Sequence, residues 1–262
     1  MKNILSYLFI FIAFTSLAQK KELFGKIEYL TVLTFGSASK ANSTLVFSPK
    51  KSCFIEGKFY LSHSFKESNK VIQHGDSLDH SDTKFYTDLL DKKIYKHHII
   101  DKKHYLAKEN IVSIKWNILN EFKIILKHNC QKAIGKFRGR EYTVWFAQGI
   151  PVRLGPWKLN GLPGLILEAH DHYNQVDFFA MKLEFLDEKT FNKTLLTPNF
   201  DESIEISLKE NLKIEAKRNV AILNKIIASM PRGTVITGVK MNEDRKMNKE
   251  ITYEWEELDE KK

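Results

Sequence analysis

Alternation of apolar and polar positions runs through most of the chain and predicts a protein made mainly of strands. Residues 25–35, GKIEYLTVLTF, carry β-branched or aromatic side chains at nearly every other position, the period of a half-buried strand. The following GSASKANS, residues 36–43, is rich in turn formers and predicts a connection. Residues 44–47 and 53–56 predict a hairpin around Ser48-Pro49-Lys50-Lys51. The polar stretch 62–82 has few large apolar residues and predicts a long loop. Short strands then recur at 84–89, 93–100, 104–106, 113–118, 122–128, 134–137, 141–147, 165–170 and 176–185. That spacing belongs to an antiparallel meander, with Asp101-Lys102-Lys103 and His172-Tyr173-Asn174 as hairpin turns.

The period changes at Ser207. Ser207 and Glu210 form a capping box, and Leu208, Leu212, Ala216, Val220, Leu223 and Ile227 then recur at three- and four-residue intervals. This predicts a helix over 208–229, ended by Pro231 and Gly233. A last strand is expected over 234–240, and the charged tail 241–262, around Trp255, reads as frayed. The fold class that follows is α+β. A predominantly antiparallel, twisted β-sheet, by analogy a curled half-barrel of the lipoprotein-carrier kind, carries one long C-terminal helix packed on it. No linker or repeat divides residues 19–240, which read as a single β-rich domain.

The N-terminus changes the setting. Lys2, an uncharged apolar run from Ile4 to Leu17 and the small-residue site Ser16-Leu17-Ala18 make residues 1–18 a secretory signal peptide. The run is too short to span a bilayer comfortably, and no comparable run follows, so the mature chain is expected to be periplasmic or secreted, without a transmembrane segment. No cysteine stands at the cleavage point to take a lipid. The formal charge of +9 falls to +8 once Lys2 leaves. In an exported protein such a balance points to anionic envelope ligands rather than nucleic acid, or simply to a basic solvated surface.

Residues 131–171 hold the most distinctive pattern. Cys130-Gln131-Lys132-Ala133, Phe137-Arg138-Gly139-Arg140-Glu141-Tyr142 and Gly155-Pro156-Trp157 lead to Gly161-Leu162-Pro163-Gly164-Leu165-Ile166. With these segments in this order the chain resembles the GLPGLI family. The resemblance implies an exported envelope protein of Bacteroidota-type bacteria and brings no established activity. Physically the signature reads as architecture. Pro163 presets the second position of a turn, Gly164 is expected to take the positive φ of a type II turn, and Leu165-Ile166-Leu167 to enter a buried strand.

Reactive motifs are scarce. The chain contains no GxSxG, HExxH, CxxC, P-loop or strand-linked GxGxxG, so no cofactor is implied and the hydrolase, zinc-protease, redox and nucleotide readings lose their anchors. His170 and His172, two apart on a strand, could share a metal with His128 or His104, whereas the adjacent His97 and His98 face opposite sides. Lys132, Lys136, Arg138, Arg140, Arg153 and Lys158 are opposed only by Glu141. Among them Arg138 and Arg140, flanking Gly139, would clamp a carboxylate or phosphate from one face of a strand, with Trp157 nearby as a further ligand contact. Cys53 and Cys130 either bridge in the oxidising compartment or stay as buried thiols.

Two functional readings stand. The first is a non-enzymatic envelope protein that binds an anionic ligand or an outer-membrane or envelope protein. The alternative is a metal-binding protein or metal-dependent enzyme built on the histidines. The first is preferred because the distinctive residues are geometric rather than reactive.

Overall fold

A computed structural model of the chain describes residues 22–35, 37–61, 83–195, 197–229, 245 and 248–256. In chain order its strands are β1 (Phe24–Phe35), β2 (Ser37–Phe47), β3 (Lys51–Ile55), β4 (Tyr60–Leu61), β5 (Lys84–Asp88), β6 (Lys93–Ile100) and β7 (Lys103–Asn110). They continue with β8 (Trp116–Ile125), β9 (His128–Phe137), β10 (Arg140–Ala147), β11 (Leu165–Asp171) and β12 (Val176–Leu186). A short helix α1 (Glu188–Thr194), β13 (Ile204–Ser207) and the long helix α2 (Leu208–Ser229) follow. The fold is α+β, a curled sheet that does not close, with one long C-terminal helix. The signal segment 1–18, the loop 62–82 and the strand expected at 234–240 lie outside the described residues.

All the strands belong to one sheet, ordered β13-β7-β6-β5-β3-β2-β1-β12-β11-β10-β9-β8, with β4 beside β2 off that path. The meander arises because short turns of fixed hand connect neighbouring strands. Asp101 and Lys102 (φ 48° and 63°), Leu126 and Lys127 (47° and 67°), and Arg138 and Gly139 (45° and 82°) form two-residue turns with both φ values positive, the kind whose twist matches a hairpin. Sequence reading missed β13, which pairs in parallel with β7, and the short helix α1, capped by the Asp187 side chain accepting from the Thr190 N–H at 2.9 Å.

Two expectations need correction. Residues 37–43 are strand, not a connection, with Phe35 directly opposite Ser37. Small residues suit its inward positions: Ala41 and Ser43 are buried, and Thr31 Oγ, also buried, donates to Ser43 Oγ at 2.9 Å. Residues 113–118 and 122–128 merge into one bulged strand, β8, and the start of β9.

The register defines an inner face. Ile27, Tyr29, Leu45, Phe47, Phe54, Phe85, Val144, Phe146 and Phe178 all lie on it and are almost fully buried. Each such side chain contributes about 1.5–3 kcal/mol of burial. Their cover is the signature loop, residues 148–164, which lays Ile150, Val152, Leu154, Trp157, Leu159 and Leu162 onto the sheet. The loop is pinned by backbone bonds. Leu165 N–H donates to Ile150 O, Ile166 N–H to Leu154 O and Gly161 N–H to Arg153 O, each at 3.0 Å. Tyr29 Oη donates to Ile166 O at 2.5 Å.

The helix is capped as its sequence predicts. Ser207 N–H and Oγ donate to Glu210 Oε2 at 2.9 and 2.8 Å, and Glu210 N–H donates back to Ser207 Oγ at 3.2 Å. Its contact face differs from the expected stripe. Leu208, Asn211 and Glu215 meet the sheet, whereas Ala216, Val220 and Ile227 are exposed. The apolar repeat ranks residues by hydrophobicity alone, and the docking of the first turns is decided instead by ionic partners on β6.

Candidate functional site

Inner-face polar residues gather at β6, β7 and the β9–β10 turn. Strand alternation puts Lys96 and His98 on the same face as Phe85 and Ile94. There Glu215 of α2 pairs with Lys96 and lies 3.2 Å from His98 Nδ1. Burial would raise the Glu215 carboxyl, but the Lys96 and His98 charges hold it well below the usual carboxylate range.

Arg138 lies in the turn itself, not on an extended strand. Its side chain is 2 % exposed and spans Glu109 Oε2 at 2.6 Å, Glu254 Oε1 at 2.9 Å and the Glu250 carboxylate. The Tyr253 ring centroid is 5.2 Å from the guanidinium. Burial acts to lower the Arg138 pKa, yet the Glu250 and Glu109 charges outweigh it and hold the guanidinium above its ordinary value. Lys158, from the signature loop, is as deeply buried, with Nζ 2.5 Å from Glu109 Oε1 and 2.8 Å from Glu250 Oε1. Glu250 is held below its normal range against the opposing effect of burial, chiefly by Lys158 and then Arg138.

Arg140 is fully buried. It pairs with Asp171 and donates to Gln175 Oε1 at 3.0 Å and to Asn248 O from two nitrogens, at 3.0 and 2.6 Å. Asp171 in turn accepts from the Gln175 and Val176 N–H groups at 2.6 and 2.8 Å. The expectation that the two guanidiniums clamp a ligand from one face of an extended strand is therefore corrected. Tight turn geometry redirects Arg138, and internal acceptors engage both arginines. Trp157 is likewise a core residue, 3 % exposed, at φ 56°, with its ring edge-on to Phe137 at 5.5 Å. The other cations of the run separate: Lys132 pairs with Glu121 at 2.9 Å, Arg153 donates to Gly161 O at 3.0 Å, and Lys136 is exposed.

The C-terminal residues are the unexpected component. Residues 248–256, read from sequence as frayed, cross the β9–β10 turn as a strap. Ile251 and Thr252 N–H groups donate to Arg138 O at 2.8 and 3.2 Å, Lys249 pairs with Glu56, and Tyr253 is buried and stacked on Trp255 at 4.6 Å. Beside the strap a groove of about 620 Å³ opens between Lys136, Glu141, His172, Tyr173, Tyr253 and Glu254, floored by the Arg138-Gly139-Arg140 turn. The arrangement can hold carboxylates in a desolvated setting and stack aromatic or apolar groups at its rim.

The histidines do not converge. His170 lies on the outer face, with Nδ1 3.0 Å from Asp177 Oδ1 and Nε2 2.6 Å from Glu168 Oε1. Those two hydrogen bonds push its pKa up to about 9, so the ring is an imidazolium with both nitrogens engaged rather than a free ligand. His172 sits exposed in the next turn beside Tyr173. His128 packs against Phe185, and His104 Nδ1 is 3.2 Å from His97 Nε2 near the opposite edge of the sheet. Among the described residues no group of three or more His, Cys, Asp or Glu side chains has the geometry of a metal site. Cys53 and Cys130 are free, buried thiols on β3 and β9, with five strands between them in the sheet, too far for a bridge. Burial pushes their pKa values to about 12 and about 11.

The signature turn also works differently from the expectation. Gly164 does not carry a positive φ; Gly161 does, at 100°. A Cβ at Gly164 would lie 2.3 Å from Ala147 O, so glycine there permits close approach of two backbone segments.

Comparison with known proteins places these residues in context. Residues 136–168 match a Bacteroidota-associated family described as "Protein of unknown function (Porph_ging)". No curated protein matches the sequence. Two solved structures of PNGF-II are similar in fold, both at 13 % identity. The C2 crystal form covers 72 % of this chain and 32 % of that one at a TM-score of 0.49, and the P21 form 73 % and 32 % at 0.50. This chain thus spans about a third of the length of PNGF-II. An uncharacterized conserved protein from Thermus thermophilus is also similar, at 7 % identity, over 70 % of this chain and 90 % of that one, with a TM-score of 0.38.

Proposed function

We propose that the chain is an exported, non-enzymatic binding protein of the bacterial cell envelope, of the GLPGLI type, whose recognition surface is the groove over the β9–β10 turn. The observation that carries this reading is the placement of the groove. It opens where the strap meets the β9–β10 turn that carries Arg138 and Arg140, with Tyr173 59 % exposed at its rim. The signature residues serve as packing and turns, leaving recognition to the groove's rim, where Lys136 and Tyr173 are exposed. Export is read from the N-terminal segment, and the family likeness at residues 136–168 supports a Bacteroidota setting.

The test is photocrosslinking in intact cells, with the reactive residue at Tyr173 and, as a control, at exposed Leu90 outside the groove. A mature chain that begins at Gln19 and gives a discrete adduct from position 173, absent from position 90, supports the proposal. Identical adduct patterns from both positions, or a chain retained in the cytoplasm with Met1 in place, would overturn it.

A further inference from the structure

We propose that the cleft framed by Arg138, Gly139 and Lys158 is a recognition site for an acidic segment of a partner protein, and that residues 248–256 are its tethered internal occupant. This deepens the binding reading above and rests on it. The strap is held as a peptide ligand would be held. Its backbone is gripped at two points: the Arg138 carbonyl takes the N–H groups of Ile251 and Thr252, and the Asn248 carbonyl accepts from the Arg140 guanidinium. Its close approach depends on Gly139, where a Cβ would lie 2.8 Å from Ile251 Cβ. Its side chains Glu250 and Glu254 reach Arg138, and Glu250 also reaches Lys158 at 2.8 Å. The frame thus supplies a backbone acceptor, a glycine recess and two buried cations.

Charge sets the chemistry of any replacement. Without the strap, Arg138 and Lys158 would share a single carboxylate among the described residues, that of Glu109. A buried cation stripped of its partner is strongly destabilising, so only a segment that restores carboxylates can take the strap's place, and an apolar or basic segment is rejected. Two carboxylates four residues apart, as in Glu250 and Glu254, match the cleft. Exchange is accessible because few backbone bonds hold the strap. Two tie it to Arg138 O and two run from Arg140 to Asn248 O, whereas β9 and β10 face each other over eight registered pairs.

A synthetic peptide of residues 248–256, NKEITYEWE, is the probe, and the full-length chain is the receptor. With Glu250→Gln and Glu254→Gln in the chain, the strap loses its grip and the peptide should bind at least tenfold more tightly than it binds the wild type. A peptide carrying the same two glutamines should bind neither. In case the double variant does not fold, hydrogen exchange on the wild type is the second measurement. Excess peptide should speed exchange of the Ile251 and Thr252 amides while leaving β9 and β10 amides unchanged. Equal binding to both chains, or strap amides indifferent to the peptide, overturns the inference. So does a wild-type dimer that the peptide dissolves, because the occupant is then a second copy of this chain. A Tyr173 adduct that survives such a failure would leave the binding function standing and remove only the acidic-peptide site.

Discussion

The inner face of the sheet is covered in two different ways, and the difference separates what stabilises this protein from what it can recognise. Over β1, β2 and β10–β12 the cover is the signature loop, whose apolar side chains pack with Tyr29, Phe54, Phe146 and Phe178. Over β6, β7 and the β9–β10 turn the cover is α2, the strap and Lys158 of the signature loop, and the contacts are ionic: Lys96–Glu215, Arg138–Glu250, Lys158–Glu109 and Lys249–Glu56. Apolar burial is favourable with any well-shaped partner. Buried ion pairs gain little net stability, yet they penalise every partner that lacks the matching charge. The apolar region therefore stabilises the frame, and the ionic region selects.

Breaking one charge pair at its most buried point should produce the largest effect. Asp171→Ala strands the Arg140 guanidinium and removes the acceptor of the Gln175 and Val176 N–H groups. The expected loss is about 4 kcal/mol in urea unfolding. Combining Arg140→Met with Asp171→Leu should restore much of it, because two apolar groups leave no charge unpaired. A double variant as unstable as the single one would show that the pair contributes through geometry rather than charge compensation.

The second effect belongs to the apolar cover. Gly164→Ala drives a methyl group into the Ala147 carbonyl and should cost about 3 kcal/mol. Gly161→Ala meets no atom closer than 3.6 Å and pays only for its positive φ, about 1 kcal/mol. Thermal unfolding of the two variants decides between the requirements: equal losses would mean that conformation, not close approach, dictates both glycines.

These two regions were unequally legible in the sequence. The strands, hairpin turns and bounds of α2 were readable because period, turn chemistry and the Ser207–Glu210 box are local signals. The architectural character of the signature was readable for the same reason, although which glycine needs positive φ and which needs space depends on Ala147, seventeen residues earlier. The ionic region was not readable. Arg138 meets Glu250 and Glu254 more than a hundred residues away, and the strap sits in a tail whose composition looks frayed. One local signal was available. Ile94, Lys96, His98 and Ile100 alternate onto one face of a strand, and two basic residues between buried isoleucines announce an inward-facing partner.

The outer face sharpens the comparison through pH. His170 is held by Asp177 and Glu168, which raise its folded pKa to about 9 above an unfolded value near 6.5. A raised pKa means the stabilisation is fully present below about pH 6.5 and is lost as pH rises through about 9. Solvent screening at this half-buried ring leaves about 1–2 kcal/mol. Stability measured from pH 6.5 to 9.5 should fall more in the wild type than in His170→Gln. Parallel curves would mean that Lys123, 2.5 Å from Glu168, already satisfies the carboxylates without the imidazolium.

The smallest effect tests whether the ionic cover behaves as a unit separate from the apolar one. Ser207→Ala removes the acceptor of the Glu210 N–H and one of the two donors to its carboxylate, a loss of about 1 kcal/mol for a helix cap. Because α2 meets the sheet through Leu208, Asn211 and Glu215 near its start, a frayed first turn loosens the contact that holds Glu215 against Lys96 and His98. Hydrogen exchange should therefore quicken in α2 and on β6 and β7 while the amides of Gly161, Leu165 and Ile166 that pin the signature loop keep their protection. Uniform acceleration across both regions would show that the two covers open together, and that the inner face is one cooperative unit despite its two chemistries.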